Sequence, residues 1–376
     1  MVHRTWIELD RDALITNSRE LRKLLGPQVL MLAVVKANAY GHGLVPVGRM
    51  LEAEVDWFGV DSVDEGMALR DAKVRKPVLV LGFTPYERSA EVIRYDLRQV
   101  VYDLEAIGAL DDASHRLGMR ALVHMKIETG MARQGIPAEE LARFLSVLPR
   151  FSGVSVEGAT THLANVDDED PTFTELQLTR FHAALEVFRK FEMPPKIRHA
   201  SASAAAMIAP DAHFDLVRFG IALYGLWPAA HIPGILALSG KVLQLRPVLA
   251  WRTRIAQVKE IPQGSPVGYG LTERVNRDAR IAVLPVGYAD GYDRRLSSRG
   301  QVMIAGKRAK VLGVVMMNII VVDVTDIPEA KPGIIATLLG REGNDEISAF
   351  DMAEQIGTIH YEVLARLNPL LPRVAV

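Results

Sequence analysis

The chain has 376 residues, of which 49% are hydrophobic and 24% are charged, and chains of this length usually contain about two domains of ~150 residues. Because 44 basic residues are balanced by 45 acidic ones, the net charge of −1 argues against binding to nucleic-acid phosphates. The absence of cysteine excludes disulfide bonds, thiolate metal sites and a cysteine nucleophile.

The N-terminal segment does not resemble a secretory signal. Arg4, Glu8, Asp10 and Arg11 lie where a signal peptide has its apolar core. We therefore expect a cytoplasmic protein. The most apolar stretch, residues 220–243, is interrupted by prolines and a lysine, so it cannot supply the ~20 apolar residues of a membrane-spanning helix. We interpret it as buried loop and strand.

Eight short apolar segments in the first part of the chain have the length and composition of β-strands. Most are followed by segments with apolar residues three and four apart, which is typical of amphipathic helices, as in residues 62–72, 139–148 and 172–191. Eight such units in about 230 residues match the (β/α)8 barrel. The alternative is a doubly wound sheet, but no GxGxxG turn follows a strand. The predicted strands are residues 29–35, 57–60, 77–82, 99–102, 121–127, 154–161, 197–200 and 214–218.

After about residue 240 the predicted strands follow one another without helices between them, which indicates a separate, mainly β domain. We therefore expect an α/β protein with a TIM-type barrel over residues 1–239 and a mainly β C-terminal domain over residues 240–376. One short helix is predicted at residues 348–356. The predicted strands of this domain are residues 250–261, 280–286, 301–305, 310–315, 319–324 and 334–339.

Several polar residues follow the predicted barrel strands, at the end where such barrels have their functional residues. Lys36 directly follows the first strand, and a lysine amine at that place can act as a nucleophile. Ser203 and Gly220 follow the seventh and eighth strands, where barrels commonly bind phosphate. The lysine amine and the phosphate-binding position together predict a ligand with a carbonyl group and a phosphate. Pyridoxal phosphate fits this description, because its aldehyde forms a Schiff base with lysine.

Seven segments resemble those of the alanine racemases, in chain order between about residues 5 and 374. The resemblance implies an isomerase that uses pyridoxal phosphate to interconvert L-alanine and D-alanine, supplying D-alanine for peptidoglycan. It also implies a homodimer in which the barrel of one subunit and the β domain of the other share each active site. The segments are VVKANAYGHG, KIETGMARQG, EGATTHLANVD, VRFGIALYGL, VGYGLTE, PVGYADGYDRRLS and HYEVLARLNPLLPRV.

The resemblance implies two catalytic bases. Lys36 matches the lysine that holds the cofactor, and Tyr269 matches the opposite base, which the partner subunit donates. Racemisation removes the α-proton from one face and returns a proton to the other, so two bases must flank the substrate. Arg218 matches the arginine at the pyridine nitrogen, where it keeps that nitrogen unprotonated, weakens the electron sink and limits side reactions.

The remaining implied roles concern the phosphate, the ring and the substrate. His162 matches the histidine linked to Arg218. Arg133 matches the arginine that supports the substrate carboxylate, and Lys126 the lysine that many relatives carboxylate. Tyr288 and Met317 match residues that line the substrate pocket. The positions that match phosphate contacts are Tyr40, Ser203, Gly220, Ile221 and Tyr361.

The chain departs from the family pattern near the substrate pocket. Val314 stands where relatives commonly have arginine, and Asn318 stands where they have aspartate. Ala202 and Glu128 replace a frequent asparagine and a frequent aspartate. None of these changes affects the two bases or Arg218. Since a pocket discriminates one methylene by only ~1–3 kcal/mol, a broader amino-acid substrate range stays open.

Two further functions are alternatives. Decarboxylases with the same domain plan place a carboxylate at the ring nitrogen and a cysteine near the substrate, so Arg218 and the absence of cysteine argue against that reading. Small non-enzymatic carriers of pyridoxal phosphate lack a second domain, so the segment containing Tyr269 argues against them. No metal is expected, because the 10 histidines show no HExxH or similar ligand spacing.

Overall fold

The computed structural model describes residues 2–376, which form two compact units. The barrel unit contains Asp12–Ala37 and Val47–Arg246. The β unit contains residues 2–11, Asn38–Pro46 and Pro247–Val376. Neither unit is continuous in sequence, because the first strand and the segment after Lys36 are both part of the β unit.

The barrel unit is built on eight parallel strands, and every predicted barrel strand is present. Their order in the sheet follows the chain, and the last strand pairs with the first. Between the seventh and eighth strands, the Asp215 N–H donates to the Arg198 carbonyl at 3.0 Å, so the barrel is nearly closed. The strands are Leu30–Val34, Trp57–Val60, Val78–Val80, Leu97–Val101, Ala121–Lys126, Val154–Thr160, Ile197–His199 and Leu216–Phe219.

Helices separate the strands of the barrel unit, as the spacing of apolar residues predicts. Capping side chains begin two of them: Ser62 accepts from the Glu65 N–H, and Asp103 accepts from the Ala106 N–H. The helices in this part of the chain are Arg11–Arg22, Leu44–Leu51, Val63–Asp71, Ser89–Arg94, Leu104–Leu117, Leu141–Val147, Thr172–Lys190, Ser203–Ile208 and Ile232–Leu238.

The apolar stretch at residues 220–243 was predicted to be buried loop and strand, but it contains no strand. It forms the 3₁₀ turn Ile221–Tyr224 and the helix Ile232–Leu238. Gly225 ends the turn with a φ of +81°, a conformation that glycine adopts without steric cost. Among the helices of residues 2–376, none is both long enough and apolar enough to cross a membrane.

The β unit contains more elements than predicted, including the short strands Pro266–Val267, Glu273–Arg274 and Asp345–Ile347. Thr5–Leu9 is a strand that pairs antiparallel with Leu249–Arg254 and parallel with Arg373–Ala375. The predicted strand 250–261 is two strands, because its halves pair with different neighbours. A second helix follows the predicted one. The remaining elements are the strands Gln257–Ile261, Pro266–Val267, Glu273–Arg274, Ala279–Leu284, Gln301–Ile304, Lys307–Leu312, Ile320–Asp323, Ile335–Glu342 and Asp345–Ile347, and the helices Ala349–Ile356 and His360–Ala365.

Candidate active site

Arg218, on the last barrel strand, is the most extensively hydrogen-bonded of the predicted site residues. Its side chain is buried, and both terminal nitrogens of the guanidinium donate to groups at the ends of neighbouring strands. Nη1 donates to His199 Nδ1 at 2.7 Å and Thr160 Oγ1 at 3.1 Å, and Nη2 donates to the Ala200 carbonyl at 2.8 Å, the Thr161 carbonyl at 3.0 Å and His162 Nδ1 at 3.3 Å.

These contacts leave one guanidinium donor for a ligand. Among residues 2–376, none accepts a hydrogen bond from Nε of Arg218. Burial, together with the charge of Arg133, lowers the pKa of Arg218 to about 10, so the side chain remains a cation at neutral pH. Burial and the charge of Arg218 lower the pKa of His162 to about 3, so His162 is neutral and accepts from Arg218.

Lys36 follows the first barrel strand by two residues. Its side chain is about two-fifths exposed, and Nζ lies 3.3 Å from Oδ1 of Asp61. Asp61 directly follows the second strand, Trp57–Val60. Asp61 was not among the residues predicted from the sequence, although it too lies at the end of a barrel strand. The carboxylate is the hydrogen-bond partner of the amine in this structure.

The residues after Lys36 form a left-handed turn. Ala37, Asn38, Ala39 and Tyr40 have φ values of 52°, 54°, 53° and 51°, a conformation that costs L-residues roughly 1–2 kcal/mol each. His42 Nδ1 donates to the carbonyls of Ala39 at 3.1 Å and Tyr40 at 3.0 Å. The buried His42 ring therefore stabilises the unusual backbone that follows the lysine.

Lys126 ends the fifth barrel strand and is buried. Its Nζ donates to Oε1 of Gln134 at 3.2 Å, and the Gln134 amide donates to the Tyr102 hydroxyl at 3.2 Å. Burial, with additional repulsion from Arg133 and Arg218, lowers the pKa of Lys126 to about 8. A larger fraction of this amine is therefore neutral near pH 8 than in an ordinary lysine.

The predicted phosphate contacts of the barrel unit lie together. Ser203 begins the helix Ser203–Ile208, and its Oγ accepts from the Gly220 N–H at 2.9 Å. Ile221 begins the turn that follows Gly220. Because the Ser203 oxygen accepts that bond, its hydroxyl hydrogen can still donate to an anion.

Arg133 also lies in the barrel unit, where its backbone N–H donates to Oε2 of Glu128 at 3.3 Å. The remaining predicted residues lie in the β unit. Tyr40 and Tyr361 have ring centroids 6.2 Å apart at an angle of 52°. Tyr288 and Met317 lie on adjoining segments, joined by the hydrogen bond from the Ala289 N–H to the Met317 carbonyl at 2.9 Å. Tyr269 is 73% exposed. The predicted residues therefore form one group in the barrel unit and a second set in the β unit.

Comparison with known proteins confirms the family resemblance over both units. The model of the alanine racemase N-terminal domain matches residues 9–228, and that of the C-terminal domain matches residues 248–375. The alanine racemase of Symbiobacterium thermophilum is 43% identical over 370 residues, covering 98% of this chain and 96% of the relative. That of Carboxydothermus hydrogenoformans is 41% identical and covers 99% of each chain.

Solved structures give the same result for the fold. The alanine racemase of Clostridium difficile 630 superposes with a TM-score of 0.93 at 33% identity, covering 100% of this chain and 96% of the other. The Bacillus anthracis alanine racemase with bound L-Ala-P superposes with a TM-score of 0.93 at 32% identity, with the same coverage. The (β/α)8 barrel and the mainly β second domain predicted from the sequence are confirmed. The chain therefore belongs to the alanine racemase family and is an isomerase.

Proposed function

We propose that the protein interconverts L-alanine and D-alanine with pyridoxal phosphate, using Lys36 and the Tyr269 of a second subunit as its two bases. The racemase activity follows from relatives more than 40% identical over nearly the whole chain. D-alanine made in this way would supply peptidoglycan synthesis, and a cytoplasmic location stays a prediction from the sequence.

The single observation that supports the cofactor best is the arrangement around Arg218. Five hydrogen bonds fix the guanidinium, and none of the described residues accepts from Nε. Since arginine donates and never accepts, Nε can donate to an unprotonated ring nitrogen. Ser203 offers a hydroxyl and Lys36 a primary amine in the same unit. The donor set therefore fits a phosphorylated pyridine aldehyde.

Pyridoxal phosphate, when bound, withdraws electrons from the α-carbon of the amino acid and so acidifies its α-proton. Arg218 moderates this effect, because a donor arginine leaves the ring nitrogen unprotonated. The amine of Lys36 would hold the cofactor and then accept or deliver the proton on one side of the substrate. We propose that Tyr40, Tyr361, Ser203, Gly220 and Ile221 hold the phosphate.

The second base is proposed to come from another copy of the chain. Tyr269 is a large aromatic residue that is 73% exposed in the isolated chain. A tyrosine hydroxyl can move a proton when cations lie near it, because they stabilise the phenolate. Exposure of this kind supports insertion into a partner's site, so the proposed functional form is a homodimer with shared active sites.

Arg133 is proposed to bind the substrate carboxylate, and Tyr288 and Met317 to line the pocket. We propose that Lys126 is carboxylated, because burial favours its neutral, nucleophilic amine and the charge of Arg133 would stabilise the product anion. Asn318 donates from Nδ2 to Asp290 Oδ2 at 3.5 Å, a position where relatives commonly carry a charge. A broader substrate range is therefore the second candidate function.

A chiral product assay tests the proposed function directly. Starting from either L-alanine or D-alanine, the purified protein with added pyridoxal phosphate should reach an equal mixture, and Lys36→Ala should abolish this conversion. Borohydride reduction followed by peptide mass measurement should place the cofactor on Lys36, which is a readout independent of activity. Unchanged L-alanine despite bound cofactor would contradict the alanine assignment, and a panel of L-amino acids would then find the substrate.

A further inference from the structure

Four polar side chains form a continuous hydrogen-bonded line through the barrel unit, starting at Arg218. Arg218 Nη1 lies 2.7 Å from His199 Nδ1, and His199 Nε2 lies 2.8 Å from His124 Nδ1. His124 Nε2 in turn lies 3.4 Å from Oε2 of Glu157. Both histidines are completely buried. We call Arg218, His199, His124 and Glu157 the relay.

The local backbone makes room for the relay. His124 lies opposite Gly158 in the register of two adjacent strands. A Cβ at Gly158 would lie only 2.5 Å from His124 Nδ1, the atom that faces His199. Any larger residue at this position would therefore displace the ring and break the contact between the two histidines.

The chemistry of the two ends gives the relay one direction. Arginine only donates, so His199 Nδ1 must be an unprotonated acceptor. The proton of the neutral His199 ring is then on Nε2, and it is donated to His124 Nδ1. His124 must likewise carry its proton on Nε2, where it faces a carboxylate, which only accepts. All three hydrogen bonds thus run from Arg218 towards Glu157.

The carboxylate end of the relay is shielded and fixed. The Trp57 ring contacts His124 edge-on with centroids 5.6 Å apart. The guanidinium of Arg98 lies over Trp57 at 5.6 Å, and its Nε donates to Glu157 Oε2 at 3.4 Å. Glu157 is about one-fifth exposed, whereas both histidines between it and Arg218 are inaccessible. Its charge therefore acts on Arg218 through the buried interior of the barrel unit, where water screens it little.

We propose that Glu157 is a positioning residue for Arg218, acting through His124 and His199. A carboxylate that accepts from one imidazole increases the strength with which the next nitrogen accepts, as in other carboxylate–histidine pairs. In this way Glu157 strengthens the bond that orients the Arg218 guanidinium. The inference rests on the proposed function, since it gives Arg218 its role at the ring nitrogen.

The direction of the relay can be measured in the full-length protein with ¹⁵N-labelled histidine, added pyridoxal phosphate and proton–nitrogen correlation spectra. We expect His199 and His124 both to carry a single proton on Nε2. A proton on Nδ1 of either ring, or two protons on one ring, would overturn the proposal. This measurement needs no turnover, so it decides the relay even if the protein fails to racemise alanine.

The strength of the relay is tested with Glu157→Gln, which keeps an acceptor but removes the charge. Asp96→Asn is the matched control, because Asp96 also pairs with Arg98, at 2.9 Å, and is not part of the relay. Networks of this kind change function by roughly twofold to thirtyfold, so we expect Glu157→Gln to lower kcat about fivefold with little change in KM. Asp96→Asn should change kcat less than about twofold. Equal losses in the two variants would contradict the proposal.

A double-mutant cycle separates coupling from simple damage. Glu157→Gln should lower the urea midpoint of unfolding at least about twice as much in the wild type as in an Arg218→Lys background. The shift caused by Asp96→Asn should be the same in both backgrounds. If Glu157→Gln shifts the midpoint equally in the wild type and in the Arg218→Lys background, Glu157 is not coupled to Arg218 and the proposal is wrong.

Discussion

Lys126 provides a sharp test, because its proposed carboxylation depends on the fraction of its amine that is neutral at physiological pH. Burial lowers the pKa of this amine from 10.5 to about 8, which raises its neutral fraction at pH 7 roughly 300-fold, to about one in ten. The neutral nitrogen attacks the carbon of CO₂, an N–C bond forms, one carbon–oxygen electron pair moves to oxygen, and the nitrogen releases a proton to solvent. The cation thereby becomes an anion.

The assay is ¹³C NMR of the protein in ¹³C-bicarbonate at pH 8. We expect about one carbamate signal per chain, lost in Lys126→Ala and retained in Lys241→Ala, a control at an exposed lysine. The signal should decline as pH falls below 8, because protonation removes the nucleophile. Lys126→Ala should also raise KM for alanine about tenfold, the effect of losing one charge-assisted hydrogen bond. An absent signal in the wild type, or one that survives Lys126→Ala, would refute the reasoning.

Three further predictions concern stability. Gly41→Ala should lower the free energy of unfolding by more than ~2 kcal/mol in urea titrations, because φ is +81° and a Cβ would overlap the Leu364 carbonyl oxygen. Gly118→Ala is the control and should cost only ~1 kcal/mol, because Gly118 has a φ of +64° but a Cβ there would lie in open space. Arg218→Ala should cost at least ~1–3 kcal/mol by calorimetry, since it leaves buried acceptors without a donor. Burial lowers the pKa of His162 from 6.5 to about 3. Between these pH values the unfolded chain binds a proton that the folded chain does not, so stability falls as the pH drops. His162→Asn should therefore lose less stability than the wild type between pH 7 and 5, and equal losses in the two proteins would contradict this.

The barrel was predictable because its strands are covered on both faces and appear as short apolar runs. All eight were found, within a few residues at each end. The strand Thr5–Leu9 was missed because its antiparallel partner residues lie 240 or more residues away in sequence, in Leu249–Arg254. The left-handed turn after Lys36 was also hidden, since an alanine-rich sequence gives no local sign of positive φ.

Candidate site residues could be predicted where a polar residue lies at or near the end of a barrel strand, as with Lys36, Lys126 and Arg218. Asp61 follows the same rule and needed only its application to the second strand. The relay was not predicted, because His124 and Glu157 lie inside strands, where spacing does not reveal which residues of neighbouring strands meet. The sequence gives one chemical indication of the relay. Glu157 lies inside the mostly apolar strand VSVEGAT, and a carboxylate in such a place requires a hydrogen-bonding or charged partner.

Subunit complementation tests the shared active site most directly. Lys36→Ala and Tyr269→Phe should each, as purified homodimers, reduce alanine racemisation at least about 100-fold, since each removes one base. After the two variants are mixed and allowed to exchange subunits, half of the dimers are mixed, and each mixed dimer has one site with both native bases. Activity should then rise to about one quarter of the wild-type value. If the mixture is no more active than its components, Lys36 and Tyr269 do not act together across the subunits, and the proposed mechanism is wrong.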